Sequence, residues 1–223
     1  MEGRPFAPWE DLQLNGLGVY RAPGGFNYGH DAVALSDFVR AKPGWRMLDL
    51  GTGTGILPLL IHAKTGAAFT GVEIDGACCA LARQSVERNG LTDKITVAQG
   101  DIRTLTQKEM GLFDGVVCNP PYYPKNSGQS PEEARARSAF ETACTLEDAI
   151  ACAGRLLKNG GLFFVCYPAE RIASLCAALC GHGLEPKRLR FVRAKKEKAP
   201  YLILAEAKKG GRPGVILEEI TLE

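Results

Sequence analysis

The chain has 223 residues, 45% of them hydrophobic, and its 27 Lys and Arg against 25 Asp and Glu leave a net charge of +2. That suits one domain, or one domain with a small appendage, and can fill a sizeable core. No run of about 18 apolar residues occurs, which excludes a membrane-spanning helix. The first residues lack the apolar stretch of a signal peptide, so the cytoplasm is the expected location.

Apolar alternation around Asn15-Gly16, within residues 9–25, predicts a small β-hairpin, because Asn-Gly favours a type I′ turn. Val33, Leu35, Phe38 and Val39 predict a short, partly buried helix over Ala32–Arg40, stopped by Lys42-Pro43-Gly44. Trp45–Leu50 is the first core strand. Gly51-Thr-Gly-Thr-Gly55 follows at once and opens a helix over Ile56–Lys64. Phe69–Ile74 is the second strand, and Asp75 caps a helix over 76–89 that ends at Asn89-Gly90. Ile95–Gln99 and Phe113–Cys118 are the third and fourth strands, and 124–139 reads as a loop. Thr145-Leu-Glu-Asp148 is a capping-box pattern that starts a helix running to Lys158, before Asn159-Gly-Gly161. Leu162–Tyr167 is the fifth strand and Ala169–Cys180 a helix. Leu189–Ala194 and Tyr201–Ala207 form a closing hairpin with a basic tip.

Strands alternating with helices imply a parallel, doubly wound α/β sheet. The last two strands are joined too tightly for a helical crossover and must be antiparallel. The expected division is an N-terminal hairpin and helix over 1–44 packed on a core domain over 45–223. The eight cysteines contain no C-x-x-C and fall in strand or helix patterns, which reads as small buried hydrophobes in a reducing compartment. The three histidines are scattered, and neither set suggests a metal cluster.

Two stretches carry chemistry. The first is Asp49-Leu-Gly-Thr-Gly-Thr-Gly55, between a strand and a helix, followed about twenty residues later by Glu73 at the next strand end. Gly51, Gly53 and Gly55 let a ligand approach the backbone, and Glu73 can accept from ribose hydroxyls. The spacing is not the Gly-x-Gly-x-x-Gly of dinucleotide sites. A carboxylate at Asp49 would repel a pyrophosphate and suit a cation, such as S-adenosylmethionine. Asp101 can accept from an adenine amino group, with Ile74 and Ile102 on either side, or it can be a simple turn residue. The second stretch is Asn119-Pro-Pro-Tyr122. Two prolines end the preceding strand and make a rigid loop. The Asn119 side-chain carbonyl and the Pro120 main-chain carbonyl are acceptors, and Tyr122 offers a stacking face. Together they suit a planar group bearing an NH2, such as adenine. A plain strand-terminating turn is the alternative.

In this order and spacing, Asp49-x-Gly-x-Gly-x-Gly55, Glu73, Asp101-Ile102 and Asn119-Pro-Pro-Tyr122 resemble class I methyltransferases that act on amino nitrogens. The whole chain resembles the tRNA1(Val) adenine-N6 methyltransferase family, through Asp11-Leu-Gln-Leu-Asn-Gly16, Phe26-x-Tyr-Gly-x-Asp-Ala-Val33, Asn119-Pro-Pro-Tyr-Tyr-Pro124 and Lys208-Lys-Gly-Gly-Arg-Pro-Gly214. Ser138 stands where the family pattern has histidine. The resemblance implies a Rossmann-like domain with a mostly parallel seven-stranded sheet and no metal. It also implies S-adenosylmethionine held by Tyr28, Asp49, Gly51, Gly53, Gly55, Glu73, Ile74, Asp101, Ile102 and Asn119. Asn119, Pro120 and Tyr122 would hold the target base, an adenine on the 3′ side of a tRNA anticodon.

Charge fits a polyanion. Between Lys187 and Arg212 ten basic residues stand against two acids, so the segment carries +8 and the remainder −6. The expected RNA contacts are Lys195, Lys196 and Lys198 at the hairpin tip, with Pro121, Lys125, Arg135 and Arg137 beside Tyr122. A monomer is favoured. Rival readings are a protein glutamine-N5 methyltransferase, which shares Asn-Pro-Pro-Tyr but usually brings a helical N-terminal domain, and an rRNA adenine methyltransferase. A non-catalytic RNA-binding module on the same fold and a nicotinamide-dependent oxidoreductase are more remote.

Overall fold

The structure is a computed structural model that describes residues 7–22, 29–120 and 145–221. An N-terminal hairpin comprises β1 (Trp9–Asp11) and β2 (Gly18–Tyr20). Its turn has positive φ at Asn15 and Gly16, as a type I′ turn requires. After α1 (His30–Phe38) come β3 (Arg46–Leu50), α2 (Ile56–Thr65), β4 (Ala68–Glu73), α3 (Gly76–Arg88), β5 (Ile95–Gln99), the short α4 (Gln107–Met110) and β6 (Phe113–Cys118). The C-terminal part holds α5 (Leu146–Leu156), β7 (Leu157–Pro168), α6 (Ile172–Gly181), β8 (Leu184–Arg193), β9 (Leu202–Lys209) and β10 (Ile216–Thr221).

One eight-stranded sheet runs β10-β8-β9-β7-β6-β3-β4-β5. Only β9 is reversed, pairing antiparallel with both β7 and β8. The expected closing hairpin is therefore present, but the sheet has one strand more than the seven expected. The extra strand, β10, pairs parallel with β8 at the edge. Its Ile216 and Leu217 are exposed and show no inward-facing alternation for a sequence reading to detect. β7 also begins five residues early, because α5 passes straight into it at Leu157. The caps match their signals. Asp75 accepts from the Cys78 N–H at 2.7 Å, and Thr145 and Asp148 form a reciprocal capping box.

The sheet is covered on both faces. Residues of α1, α2 and α3 pack with Met47, Val117, Phe164, Cys166 and Leu204 on one side. Residues of α5 and α6 pack with Leu48, Val116, Cys118, Phe163 and Val165 on the other. Alternate residues of each strand thus face opposite layers, as the pleat demands. Buried Arg188 fastens α1 to the sheet. Its guanidinium donates to Glu206 Oε2 at 2.7 Å and to the Phe38 carbonyl at 2.6 Å, and lies 3.7 Å from the Phe38 ring centre. The hairpin rests on α3. Arg88 stacks 4.2 Å from the Trp9 ring, and the Asn89 side chain bonds both the N–H and the carbonyl of Gly18.

Of the cysteines described, Cys79, Cys118, Cys152 and Cys166 are buried as expected, whereas Cys78 and Cys176 are half-buried and Cys180 is exposed. No group among the described residues could hold a metal ion, and no described helix is long and apolar enough to cross a membrane.

Candidate active site

The strand order reverses between β3 and β6: the chain moves outward from β3 to β4 and β5, then returns to the far side of β3. Open α/β sheets bind ligands at such a point, beyond the strands' carboxyl ends. Both motifs meet here, because Gly51-Thr-Gly-Thr-Gly55 leaves β3 and Asn119-Pro120 leaves β6.

The loop after β3 is held in an open curl. Gly51, Gly53 and Gly55 all take positive φ, which only glycine adopts without strain. The N–H groups of Gly51 and Thr52 both bond the Val72 carbonyl, at 2.9 and 3.0 Å. Glu73 is buried, and its two oxygens accept from the N–H of Gly53 at 2.8 Å and of Asp75 at 2.9 Å. Burial raises its pKa, and these backbone donors offset part of that rise. Gly55 precedes α2 without any side-chain cap, so the start of that helix, directly after the glycine loop, carries partial positive charge on N–H groups that no cap side chain satisfies.

Thr52 and Gly71 were not singled out by sequence. The Thr52 side chain folds over β4 where Gly71 has no Cβ; a Cβ added there would lie 2.7 Å from the Thr52 hydroxyl. Gly71→Ala is therefore expected to displace Thr52 and the loop. Ligand titration should show affinity for S-adenosylmethionine falling at least about tenfold, with stability lowered by about 1–3 kcal/mol.

Asp49 is 1% exposed, and neither of its oxygens has a hydrogen-bond donor among the described residues; the Thr52 hydroxyl is also without one. Burial pushes the Asp49 carboxyl up to about 7; the Thr52 hydroxyl, close by but not in hydrogen-bonding geometry, offsets a little of this and the charge of Glu73 adds to it. A buried acceptor pair left without donors is unfavourable in the protein alone and suits a ligand that brings N–H groups or positive charge.

Across the crevice, Asn119 is half-buried and Pro120 buried. Asn119 Oδ1 accepts from the Cys166 thiol at 2.8 Å. After β5, Asp101 is held by Arg103, which donates to Oδ1 at 3.0 Å and to Oδ2 at 2.6 Å, and this keeps its carboxyl below the usual range. Ile102 is 7% exposed and belongs to the core, whereas Ile74 is 40% exposed. Tyr28, Pro121, Tyr122, Lys125, Arg135 and Arg137 lie outside the described residues.

Lys195, Lys196 and Lys198 are exposed on the turn between β8 and β9. Because β8 runs parallel to β6 and β3, this turn projects from the same sheet edge as Asn119 and Gly51. The charge count of this segment overstates what a ligand would meet. Arg188 is buried against Glu206, Arg190 is paired with Glu218 and Arg193 with Glu219.

A family model described as a methyltransferase domain matches residues 41–208. A tRNA1(Val) (adenine(37)-N6)-methyltransferase of Porphyromonas gingivalis is 31% identical over 186 residues, covering 80% of this chain and 72% of that protein. This chain belongs to the tRNA1(Val) adenine-N6 methyltransferase family. A member from Phocaeicola vulgatus is 29% identical over 92% of this chain and 86% of its own length. Among solved structures, a predicted O-methyltransferase of Agrobacterium tumefaciens aligns with a TM-score of 0.68 at 22% identity, covering 86% of each chain. At that identity the likeness is one of fold alone.

Proposed function

We propose that this chain transfers a methyl group from S-adenosylmethionine to the exocyclic N6 of an adenine in tRNA, next to the anticodon, in the cytoplasm. The reading rests on one juxtaposition: a buried, donorless Asp49 beside the glycine loop, and an Asn119-Pro120 pair of acceptors across the switch point.

The residues fit such a cofactor. Asp49 would face its cationic amino acid portion, with the uncapped N-terminus of α2 beside its carboxylate. Glu73 keeps a second lone pair on each oxygen for ribose hydroxyls. Asp101 would reach the adenine amino group after yielding part of its contact with Arg103. When bound, the cofactor supplies an electrophilic methyl on a sulfonium.

The chain's own part is positioning. An adenine N6 lone pair is delocalised into the ring and is a poor nucleophile. Asn119 Oδ1 and the Pro120 carbonyl would each accept one N–H of that amino group. This orients the nitrogen and stabilises the positive charge that builds on it. No strong base is needed before attack, because the N–H becomes acidic only once the methyl has arrived. Tyr122 would stack on the unstacked base, and a loop adenine is cheap to splay out. Pro121, Lys125, Arg135 and Arg137 would line the path of the RNA.

The test is mass spectrometry of nucleosides from unmodified tRNA treated with the protein and S-adenosylmethionine. N6-methyladenosine is the expected product; methylation of a protein glutamine instead would overturn the RNA assignment. The hairpin tip has its own test. Changing Lys195, Lys196 and Lys198 to Gln together should weaken tRNA binding and reduce the slope of log affinity against log salt by about 2. An unchanged slope would make the tip solvated surface only.

A further inference from the structure

We infer that Cys166 is a positioning residue for Asn119, holding its carboxamide in the orientation that receives the target amino group. The inference rests on the assignment of Asn119 given above.

Sheet register brings the two side chains together. β6 and β7 run parallel with Val117 opposite Phe164 and Cys118 opposite Val165. One step further, Asn119 lies beside Cys166. The pleat turns residues 117 and 119 of one strand and 164 and 166 of the other to the same face, where Val117, Phe164 and Cys166 pack under α1 and α2. Cys166 is fully buried, while Asn119 stands at the rim of the crevice. The contact is a thiol donating to Oδ1 at 2.8 Å.

The chemistry of the pair gives this contact a purpose. A carboxamide has one acceptor end and one donor end, and rotation about Cβ–Cγ exchanges them with little intrinsic resistance. An amino group only donates here, so the exchanged orientation would set donor against donor. A thiol is a weak donor and a weaker acceptor, so it favours the orientation with oxygen toward it. It occupies one lone pair of Oδ1 and leaves the other for the substrate. An aliphatic side chain at 166 would fill the same volume without selecting either orientation.

The experiment compares Cys166→Ser, which retains a donor, with Cys166→Ala, which does not, in steady-state methylation of tRNA. Cys166→Ala is expected to lower kcat about tenfold, the equivalent of one hydrogen bond, with KM for S-adenosylmethionine unchanged. Cys166→Ser should recover most of that loss. Because a buried hydroxyl or a small cavity can destabilise, Cys166→Thr and Cys166→Val form a second, isosteric pair read at a temperature well below both melting points. Equal kcat for Ser and Ala, or for Thr and Val, would show that Cys166 only fills space and would overturn the inference. If Asn119→Ala itself retains turnover, the assignment of Asn119 fails instead. If Asn119→Ala is inactive and Cys166→Ala is normal, the positioning role alone fails.

Discussion

Asn119→Ala is expected to reduce methyl transfer by at least about a hundredfold while changing the affinity for S-adenosylmethionine less than about threefold. The side chain leaves β6 at the strand's carboxyl end, on the far side of the switch point from the glycine loop. It would therefore meet the group being methylated, with the cofactor's main contacts lying across the crevice. Its contribution grows as positive charge develops on the attacking nitrogen, so its loss falls on kcat more than on binding. Removing one such preorganised partner of developing charge typically costs 10²- to 10³-fold. Nothing large is lost from the fold. Asn119 is only half-buried, and the thiol of Cys166 gives up one hydrogen bond. Single-turnover methylation and calorimetric titration of the cofactor separate the two effects. Turnover within tenfold of the parent would remove Asn119 from the chemistry.

What could be read from the sequence was what is local in it. The glycine loop, Glu73 twenty residues on, the caps at Asp75 and Thr145 and the proline stop after Cys118 each announce themselves within a strand–turn–helix unit. Their positions follow from periodicity and turn chemistry. What escaped depends on which strands become neighbours. Arg188 counts as surface charge until β9 and β10 bring Glu206 and Glu218 beside it. Thr52 and Gly71 interlock only because β3 and β4 pair with Asp49 opposite Gly71. Cys166 looks like any buried strand cysteine until its register with β6 is known. Asp101 was legible as an acid after β5, but the Arg103 clamp two residues later was not, because side-chain rotamers close it. Register and rotamer are set by the packed sheet, and one sequence read alone does not encode them in any short window.

The second large effect is expected at Asp49, and it has opposite signs for stability and for binding. Asp49→Asn should stabilise the protein without cofactor at pH 8 and weaken S-adenosylmethionine by at least about tenfold. In the folded chain the Asp49 carboxyl titrates at about 7, chiefly because it is buried. Unfolded, it titrates near 3.9. Between those values the native state holds a proton that the unfolded state has lost, so stability falls as pH rises through this window. Above pH 7 the full penalty of an ionised carboxylate without donors is present, about 4 kcal/mol for a shift of roughly three units. Asparagine removes the charge but buries an amide that also lacks partners, which costs about 1–3 kcal/mol. The net gain of about 1–3 kcal/mol should raise the melting temperature by several degrees at pH 8 and by clearly less at pH 5.5, midway through the window, where the parent carries only about half of the penalty. Binding behaves in the reverse sense. A cation beside Asp49 favours the ionised form, so cofactor affinity in the parent should rise from pH 6 to pH 8, and binding near pH 6.5 should release protons. Calorimetry in buffers of different ionisation enthalpy measures that release directly, and it should vanish in Asp49→Asn. Melting temperatures of parent and variant that run parallel from pH 5.5 to 8 would show that Asp49 is not the group whose charge is stored for the cofactor.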